Sequence, residues 1–300
     1  MKHQSIKINN CPVCESSDLA DYLHSQDHFL SKESFTITSC NDCGFLFTNP
    51  RPDEEALPRY YESEAYISHS NVKKGLISSL YQSVRKYTLR KKVGLLTSYI
   101  KTGHALDIGC GTGEFLKSLS KSKFEVTGIE PNEGARNFAR NNYGLEVHDE
   151  NHLRKFANES FNVITMWHVL EHVSNLNERI SMIKGLLKKS GILIVAVPNP
   201  ESFDAEFYHA HWAAWDLPRH LYHFKKQDIF SLFKKVDMEI VKIHPMVFDS
   251  FYVSLLSEKY KTGSANLIRP FFVGLISNLK AVLHTKNYSS QIYVIRHKNS

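Results

Sequence analysis

The stretch Ala105-Leu106-Asp107-Ile108-Gly109-Cys110-Gly111-Thr112-Gly113-Glu114-Phe115 has the form of a buried strand ending in an acid, then glycines at every second position, then a helix start. Each glycine has a physical use: Gly109 for the tight turn, Gly111 to let backbone approach a ligand, Gly113 for close packing at the helix start. Free N–H groups at such a helix start suit an anionic group such as a carboxylate. Glu130 closes the next strand, twenty-one residues after Gly109, where a carboxylate can accept hydrogen bonds from both hydroxyls of a ribose. These features fit a nucleoside-containing cofactor. The dinucleotide fingerprint places its third glycine one position later than Gly113, so the spacing disfavours a nicotinamide dinucleotide.

Outward from this loop, short apolar runs alternate with helical periods from His104 onward, the pattern of βαβ units and a parallel sheet. Strands are predicted at His104–Ile108, Glu125–Glu130, Leu145–His148, Asn162–Met166 and Gly191–Val197, with helices near Glu114–Ser120, Glu133–Asn142 and Leu176–Lys189. Beyond Pro198 the alternation stops, and residues 199–224 are dense in aromatics and His, including His209, His211, Trp212, Trp215, His220 and His223. A helix over Lys225–Lys235 and a strand over Glu239–His244 follow, and the last strand, Gln291–Arg296, is suited to pair with Glu239–His244. The intervening insert, at about 248–284, reads as two amphipathic helices. Packing on the domain or dimerisation is expected of it, with interfacial membrane contact as a further option for its Phe271-Phe272-Val273 run in a basic context. The expected fold class is α/β: a Rossmann-like, seven-stranded, mostly parallel sheet with helices on both faces, plus a small N-terminal zinc ribbon.

The run Asp107-Ile108-Gly109-Cys110-Gly111-Thr112-Gly113 resembles the first motif of class I S-adenosylmethionine-dependent methyltransferases. The resemblance continues with Gly128-Ile129-Glu130-Pro131 and with Trp167-His168-Val169-Leu170-Glu171-His172-Val173, and it covers roughly residues 60–245. It implies S-adenosylmethionine as cofactor, with loop 107–113 at the methionine end, Glu130 on the ribose, Asp149 or Glu150 at the adenine amine, and Trp167 beside the donor. Three parts are expected: a zinc-binding ribbon at 1–52, a lid and N-terminal helix at 53–102, and a methyltransferase domain at 103–300.

Cys11-Pro12-Val13-Cys14 and Cys40-Asn41-Asp42-Cys43-Gly44 form two knuckles. Thiolates at i, i+3 on a turn can share one tetrahedral ion, and a four-thiolate set leaves no open position, so the expected zinc is structural. Paired C-x-x-C motifs with an odd total of five cysteines point to metal in a reducing compartment rather than to disulfides. Cys110 is read as a small turn residue.

Methyl transfer from a sulfonium needs an aligned and often deprotonated acceptor, and His is a natural base near neutral pH. The segment Asp216-Leu217-Pro218-Arg219-His220-Leu221-Tyr222-His223-Phe224 follows the fifth strand, on the crevice side of such a sheet, which makes His220, Tyr222 and His223 candidate catalytic residues. It also resembles the corresponding stretch of sugar C-methyltransferases, whose catalytic His lies in an E-H-L-like motif. His220 matches that His, while Arg219 stands where the family has Glu and is expected to recognise a phosphate or carboxylate on the acceptor. The segment Tyr60–Tyr66 resembles those enzymes' lid tyrosines and makes Tyr66 a further candidate. His168, Glu171 and His172 are expected to shape the pocket.

Composition bounds the alternatives. The formal net charge is +6, yet residues 71–101 carry eight Lys or Arg and no acid. No signal-type apolar region and no stretch near the ~18–20 apolar residues of a membrane span is evident, so a cytoplasmic protein is expected, with a homodimer possible. The leading reading is a methyltransferase for a small, sugar-like or anionic metabolite. An RNA methyltransferase using the ribbon as reader is the first alternative. It is disfavoured by Met166-Trp167-His168 in place of the motif for base amino groups, and by the absence of a second cysteine suited to pyrimidine chemistry. The second is a non-catalytic cofactor-binding or assembly protein.

Overall fold

The chain is described from a computed structural model over residues 5–61, 76–264 and 266–298. In chain order the elements are β1 (Ser5–Ile6), β2 (Leu19–Gln26), β3 (Ser34–Cys40), β4 (Leu46–Thr48), β5 (Arg51–Pro52), α1 (Leu76–Tyr99), β6 (Gly103–Ile108), α2 (Glu114–Leu119), β7 (Phe124–Ile129), α3 (Glu133–Tyr143) and β8 (Glu146–His148). Then come β9 (Phe161–Trp167), α4 (Leu176–Leu186), β10 (Leu187–Pro198), α5 (Phe203–Tyr208), β11 (Tyr222–His223), α6 (Lys226–Lys234), β12 (Met238–Pro245), α7 (Asp249–Thr262), α8 (Ile268–Lys280) and β13 (Ser290–His297).

Burial along β10 sets the architecture. Every residue from Gly191 to Pro198 is buried, which requires a central strand covered on both faces. The side chains then sort by the two-residue period of a strand. Leu106, Ile164, Leu193 and Val195 share one apolar cluster with Ile180 and Ile183 of α4 and Ile229 and Phe233 of α6. Ala105, Val163 and Ile194 share the other with Leu96 of α1 and Phe115 and Leu119 of α2. The resulting seven-stranded sheet has the order β12-β13-β10-β9-β6-β7-β8. It is parallel through its middle, and β13 runs antiparallel between β10 and β12. The predicted strands and helices of the domain are all present, with shifted ends: α4 stops at Leu186 because the chain turns directly into β10 at Leu187.

The cysteine ribbon is joined to the domain through a shared sheet. β2, β3 and β4 form an antiparallel sheet whose fourth strand is β11, taken from the His-rich segment. Phe45 packs against Tyr222 and Phe224 at ring-centroid distances of 5.9 and 5.7 Å, so ribbon and domain have one continuous core. The insert forms the two expected helices, α7 and α8, packed on each other and on α5.

Candidate active site

The loop after β6 has the geometry its glycines predict. Gly109, Gly111 and Gly113 all have positive φ. A side chain at Gly109 would collide with Val169 Cγ2 at 2.4 Å, and one at Gly113 with Leu145 Cδ1 at 2.7 Å, whereas at Gly111 it would meet nothing within 4 Å. Gly111 therefore faces open space beside bare backbone. Glu130, at the end of β7, closes this cradle: its Oε2 accepts from the Gly111 N–H at 2.8 Å and its Oε1 from the Asn132 N–H at 2.9 Å.

Asp107, 3% exposed, accepts a hydrogen bond from the Thr165 hydroxyl at 2.6 Å. Burial pushes its carboxyl up to about 7, against the opposing pull of Thr165 and Lys92. A buried acid in this state favours a cationic partner, because an ammonium beside it would restore the charged form. Lys92, from α1, lies 4.3 Å over the ring of Trp167, and its own pKa is lowered by burial. Trp167 Nε1 is buried with no hydrogen-bond partner among the described residues. An orphaned donor of this kind costs free energy unless a ligand satisfies it. At the end of β8, Glu150 turns to an ion pair with Arg179, and Asp149 precedes the 3-10 turn at Glu150–Lys155. These residues fit a nucleoside ligand that carries an ammonium and a carboxylate.

A cluster of titratable side chains is built from the turn after β9 and the segment before β11. His168 sits between Asp249 of α7, at 3.1 Å, and Glu171, at 3.4 Å. Burial alone would lower its pKa, but the two carboxylates outweigh that and raise it to about 9. Glu171 is 1% exposed and faces His168 Nδ1 at 3.4 Å; burial would raise its pKa, yet His168 holds it below the usual range. His172 lies edge-on to His220 with ring centroids 4.6 Å apart. Burial, then the neighbouring His220, brings His172 down to about 4, so it is neutral at pH 7.

His220 is oriented by backbone. Its Nδ1 lies 2.8 Å from the Ala214 carbonyl oxygen; a carbonyl only accepts, so Nδ1 carries the proton and Nε2 keeps its lone pair. The Thr48 hydroxyl of the ribbon donates to the His220 carbonyl at 2.7 Å, and the Thr48 N–H donates to the Leu221 carbonyl at 3.0 Å. The ribbon thus fixes the backbone that carries His220.

Other expectations for this segment are corrected. Tyr222 is 3% exposed, donates its hydroxyl to the Ser174 carbonyl at 2.9 Å and lies in the aromatic seam with Phe45. His223 is 4% exposed beneath Trp215, with Nε2 at 3.3 Å from the Thr48 hydroxyl, and burial holds its pKa well below the ordinary value. β11 ties both into the ribbon sheet, where their polar atoms meet Ser174 and Thr48, whereas His220, also buried at 8% exposed, lies before that strand. Arg219 is 1% exposed and bound to Asp216, Asp27 and the Tyr60 carbonyl, so its guanidinium is a structural clamp and not an acceptor-binding group. Tyr66 lies outside the described residues.

Residues the motif reading did not place are Lys92 and Asp249; Tyr61, within the lid-like segment, has its hydroxyl 3.0 Å from His172 Nδ1. Lys92 is one of several cations on a basic helix, and Asp249 is read as the start of an insert. Neither carries a local signal in sequence.

The four cysteines of the knuckles converge. Cys11 and Cys43 sulfurs are 3.5 Å apart, Cys14 and Cys40 sulfurs 3.4 Å, and all four lie within 4.8 Å of one another. Tetrahedral zinc with ~2.3 Å zinc–sulfur bonds needs sulfurs about 3.8 Å apart, so the donor set fits such an ion. Cys110 is buried in the turn, where burial raises its thiol pKa strongly, which removes it as a nucleophile.

Residues 81–243, more than half of the chain, match a family model described as "Methyltransferase domain". Among curated relatives, the ubiquinone biosynthesis O-methyltransferase of Coxiella burnetii (strain Dugway 5J108-111) is 32% identical over 116 residues, 36% of this chain and 49% of that protein. The ubiquinone biosynthesis O-methyltransferase of Cereibacter sphaeroides (strain ATCC 17029) is 28% identical over 53% of this chain and 72% of its own length. The chain thus spans about half the length of the Coxiella relative it matches. Among solved structures, magnesium protoporphyrin IX methyltransferase from Synechocystis, with S-adenosylhomocysteine bound, aligns with TM-score 0.54 at 14% identity over 82% of this chain and all of that one, a likeness of fold.

Proposed function

Because this chain belongs to the methyltransferase-domain family, we propose that it transfers a methyl group from S-adenosylmethionine to a small hydroxyl-bearing, sugar-like or anionic acceptor docked beside His220. The observation that carries the proposal is the lining of the loop after β6: open space at Gly111, whose N–H is held by Glu130, the buried carboxyl of Asp107 and the orphaned Nε1 of Trp167. Gly111 would receive the methionine end, Asp107 its ammonium, Glu130 the ribose hydroxyls and Asp149 the adenine amine. When bound, that cofactor supplies a methyl group already activated on a sulfonium.

His220 Nε2 would take the proton of the acceptor hydroxyl, freeing that oxygen for the methyl group the bound cofactor would supply from its sulfonium. The released proton rests on the imidazole, whose positive charge Glu171 and Asp216 stabilise. Asp216 Oδ2 stands 3.9 Å from His220 Nε2. His168, held protonated between Asp249 and Glu171, is neutralised by these acids and keeps Glu171 charged beside the His pair. The relatives' names support oxygen as the methylated atom.

Zinc held by Cys11, Cys14, Cys40 and Cys43 would lock the ribbon whose Thr48 bonds the His220 backbone. That role favours a structural ribbon over an RNA reader. The four-thiolate site also supports a reducing, cytoplasmic location.

The test is incubation with methyl-labelled S-adenosylmethionine and fractionated host extract, with and without nuclease. Label in a nuclease-resistant small-molecule fraction is expected, and it should vanish with His220→Ala. Nuclease-sensitive label would favour the RNA reading, and no label in any fraction would remove the enzymatic one.

A further inference from the structure

The hairpin of α7 and α8 is assembled inside out. α8 turns Pro270, Val273, Gly274, Ser277 and Asn278 inward, against a face of α7 made of Ser250, Val253, Ser254, Ser257 and Glu258. The contact is close and polar. A side chain at Gly274 would come within 3.0 Å of the Phe251 backbone, the Ser250 hydroxyl donates to the Gly274 carbonyl at 3.1 Å, and Asn278 Nδ2 donates to Ser250 Oγ at 2.9 Å.

The large apolar side chains point outward instead. Ile268, Phe271, Phe272, Ile276, Leu279 and Leu283 follow one another at helical spacing and are 41 to 70% exposed. A helix on the surface of a water-facing domain has the reverse distribution. Small residues at the helix contact with bulky apolar residues outside is the arrangement of helices that meet lipid.

Charge narrows the occupant further. From Lys259 to the C-terminus there are seven Lys or Arg and no Asp or Glu. Lys280 and Lys286 lie at one end of the apolar face, both exposed, while Arg269 at the other is exposed but ion-paired with Glu258 at 3.3 Å. Two copies joined face to face would bring these like charges together at an isologous contact. An anionic headgroup layer would neutralise them.

We propose that the outer face of α8 docks on the surface of an anionic lipid bilayer, with Phe271, Phe272 and Leu279 entering the interface and Lys280 and Lys286 meeting the headgroups. The 13 residues of α8 fall short of the ~20 needed to span, and no helix among the described residues is long and apolar enough to cross a membrane. The contact is therefore in the plane of the interface. The same hairpin reaches the acceptor pocket, since Asp249, its first residue, pairs with His168 at 3.1 Å.

Flotation of the purified full chain with vesicles tests this, using phosphatidylcholine alone and phosphatidylcholine mixed with phosphatidylglycerol. The chain is expected to float with the mixed vesicles, to be released by high salt and to stay behind with the neutral ones. A Phe271→Ser/Phe272→Ser variant should bind at least about tenfold more weakly with an unchanged Tm, and Lys286→Glu at least about fivefold more weakly. Failure of the unaltered chain to float, equal flotation on neutral vesicles, or a concentration-dependent dimer abolished by the Phe pair would overturn the proposal.

Discussion

The carboxylate of Glu130 is tied to the backbone N–H of Gly111 at 2.8 Å, so the residue proposed to hold the ribose also holds the loop proposed to hold the methionine end. Ligand recognition and loop shape therefore depend on one side chain. Glu130→Ala removes charged acceptors from two backbone donors and from the ribose, and hydrogen bonds to charged groups contribute about 1.5 to 3 kcal/mol each. S-adenosylmethionine affinity should fall by about 10² or more, read by calorimetry, while Glu130→Asp retains part of it.

Cofactor binding should depend on pH through Asp107. Its carboxyl stands near 7 when the site is empty because it is buried, and an ammonium partner would pull that value down. The ligand then favours the charged form, so affinity is full above pH 7 and weakens by up to about tenfold per pH unit below it. Titrations at several pH values check the slope. Asp107→Asn should bind weakly at every pH and lose the dependence.

His168 gives a second pH dependence, in stability. Its pKa rises from an ordinary 6.5 to about 9 on folding, through Asp249 and Glu171. A raised value means the stabilisation is complete below 6.5 and is lost as pH rises through 9. The Tm should decline over that interval, and Asp249→Asn should flatten the decline.

Arg219 is predicted to matter for folding rather than for substrate choice. Arg219→Met leaves Asp27, which is fully buried, and Asp216 without their shared cation, a change that costs about 3–5 kcal/mol when one partner of a buried pair is lost. For Asp27, burial favours protonation but the Arg219 hydrogen bonds prevail and hold it at about 2. The clamp is intact above pH 4 and weakens as pH falls toward 2, so acid unfolding should begin at higher pH in the variant. Urea titration and acid melts read both effects.

What could be read from the sequence was local. The strand–loop–helix at 105–115 and the acid at Glu130 lie within one βαβ unit, where spacing alone fixes geometry. The alternation of Leu106, Ile164 and Leu193 against Ala105, Val163 and Ile194 likewise follows from strand period. The fates of Tyr222, His223 and Arg219 were not legible, because each is decided by a contact across more than 160 residues: Phe47 pairs with Tyr222 in the ribbon sheet, Thr48 meets His223, and Asp27 binds Arg219. A segment rich in His on the crevice side reads as catalytic until the strand that covers half of it is known. Lys92 and Asp249 escaped for the same reason, since their partners, Trp167 and His168, lie on other elements.

The central claim, that the pocket after β6 is a methyl-donor site, is tested most directly by calorimetric titration of the purified chain with S-adenosylmethionine, followed by competition with S-adenosylhomocysteine and with NAD. Saturable binding displaced by S-adenosylhomocysteine and untouched by NAD is the predicted result. No heat with S-adenosylmethionine, or its displacement by NAD, would contradict the claim.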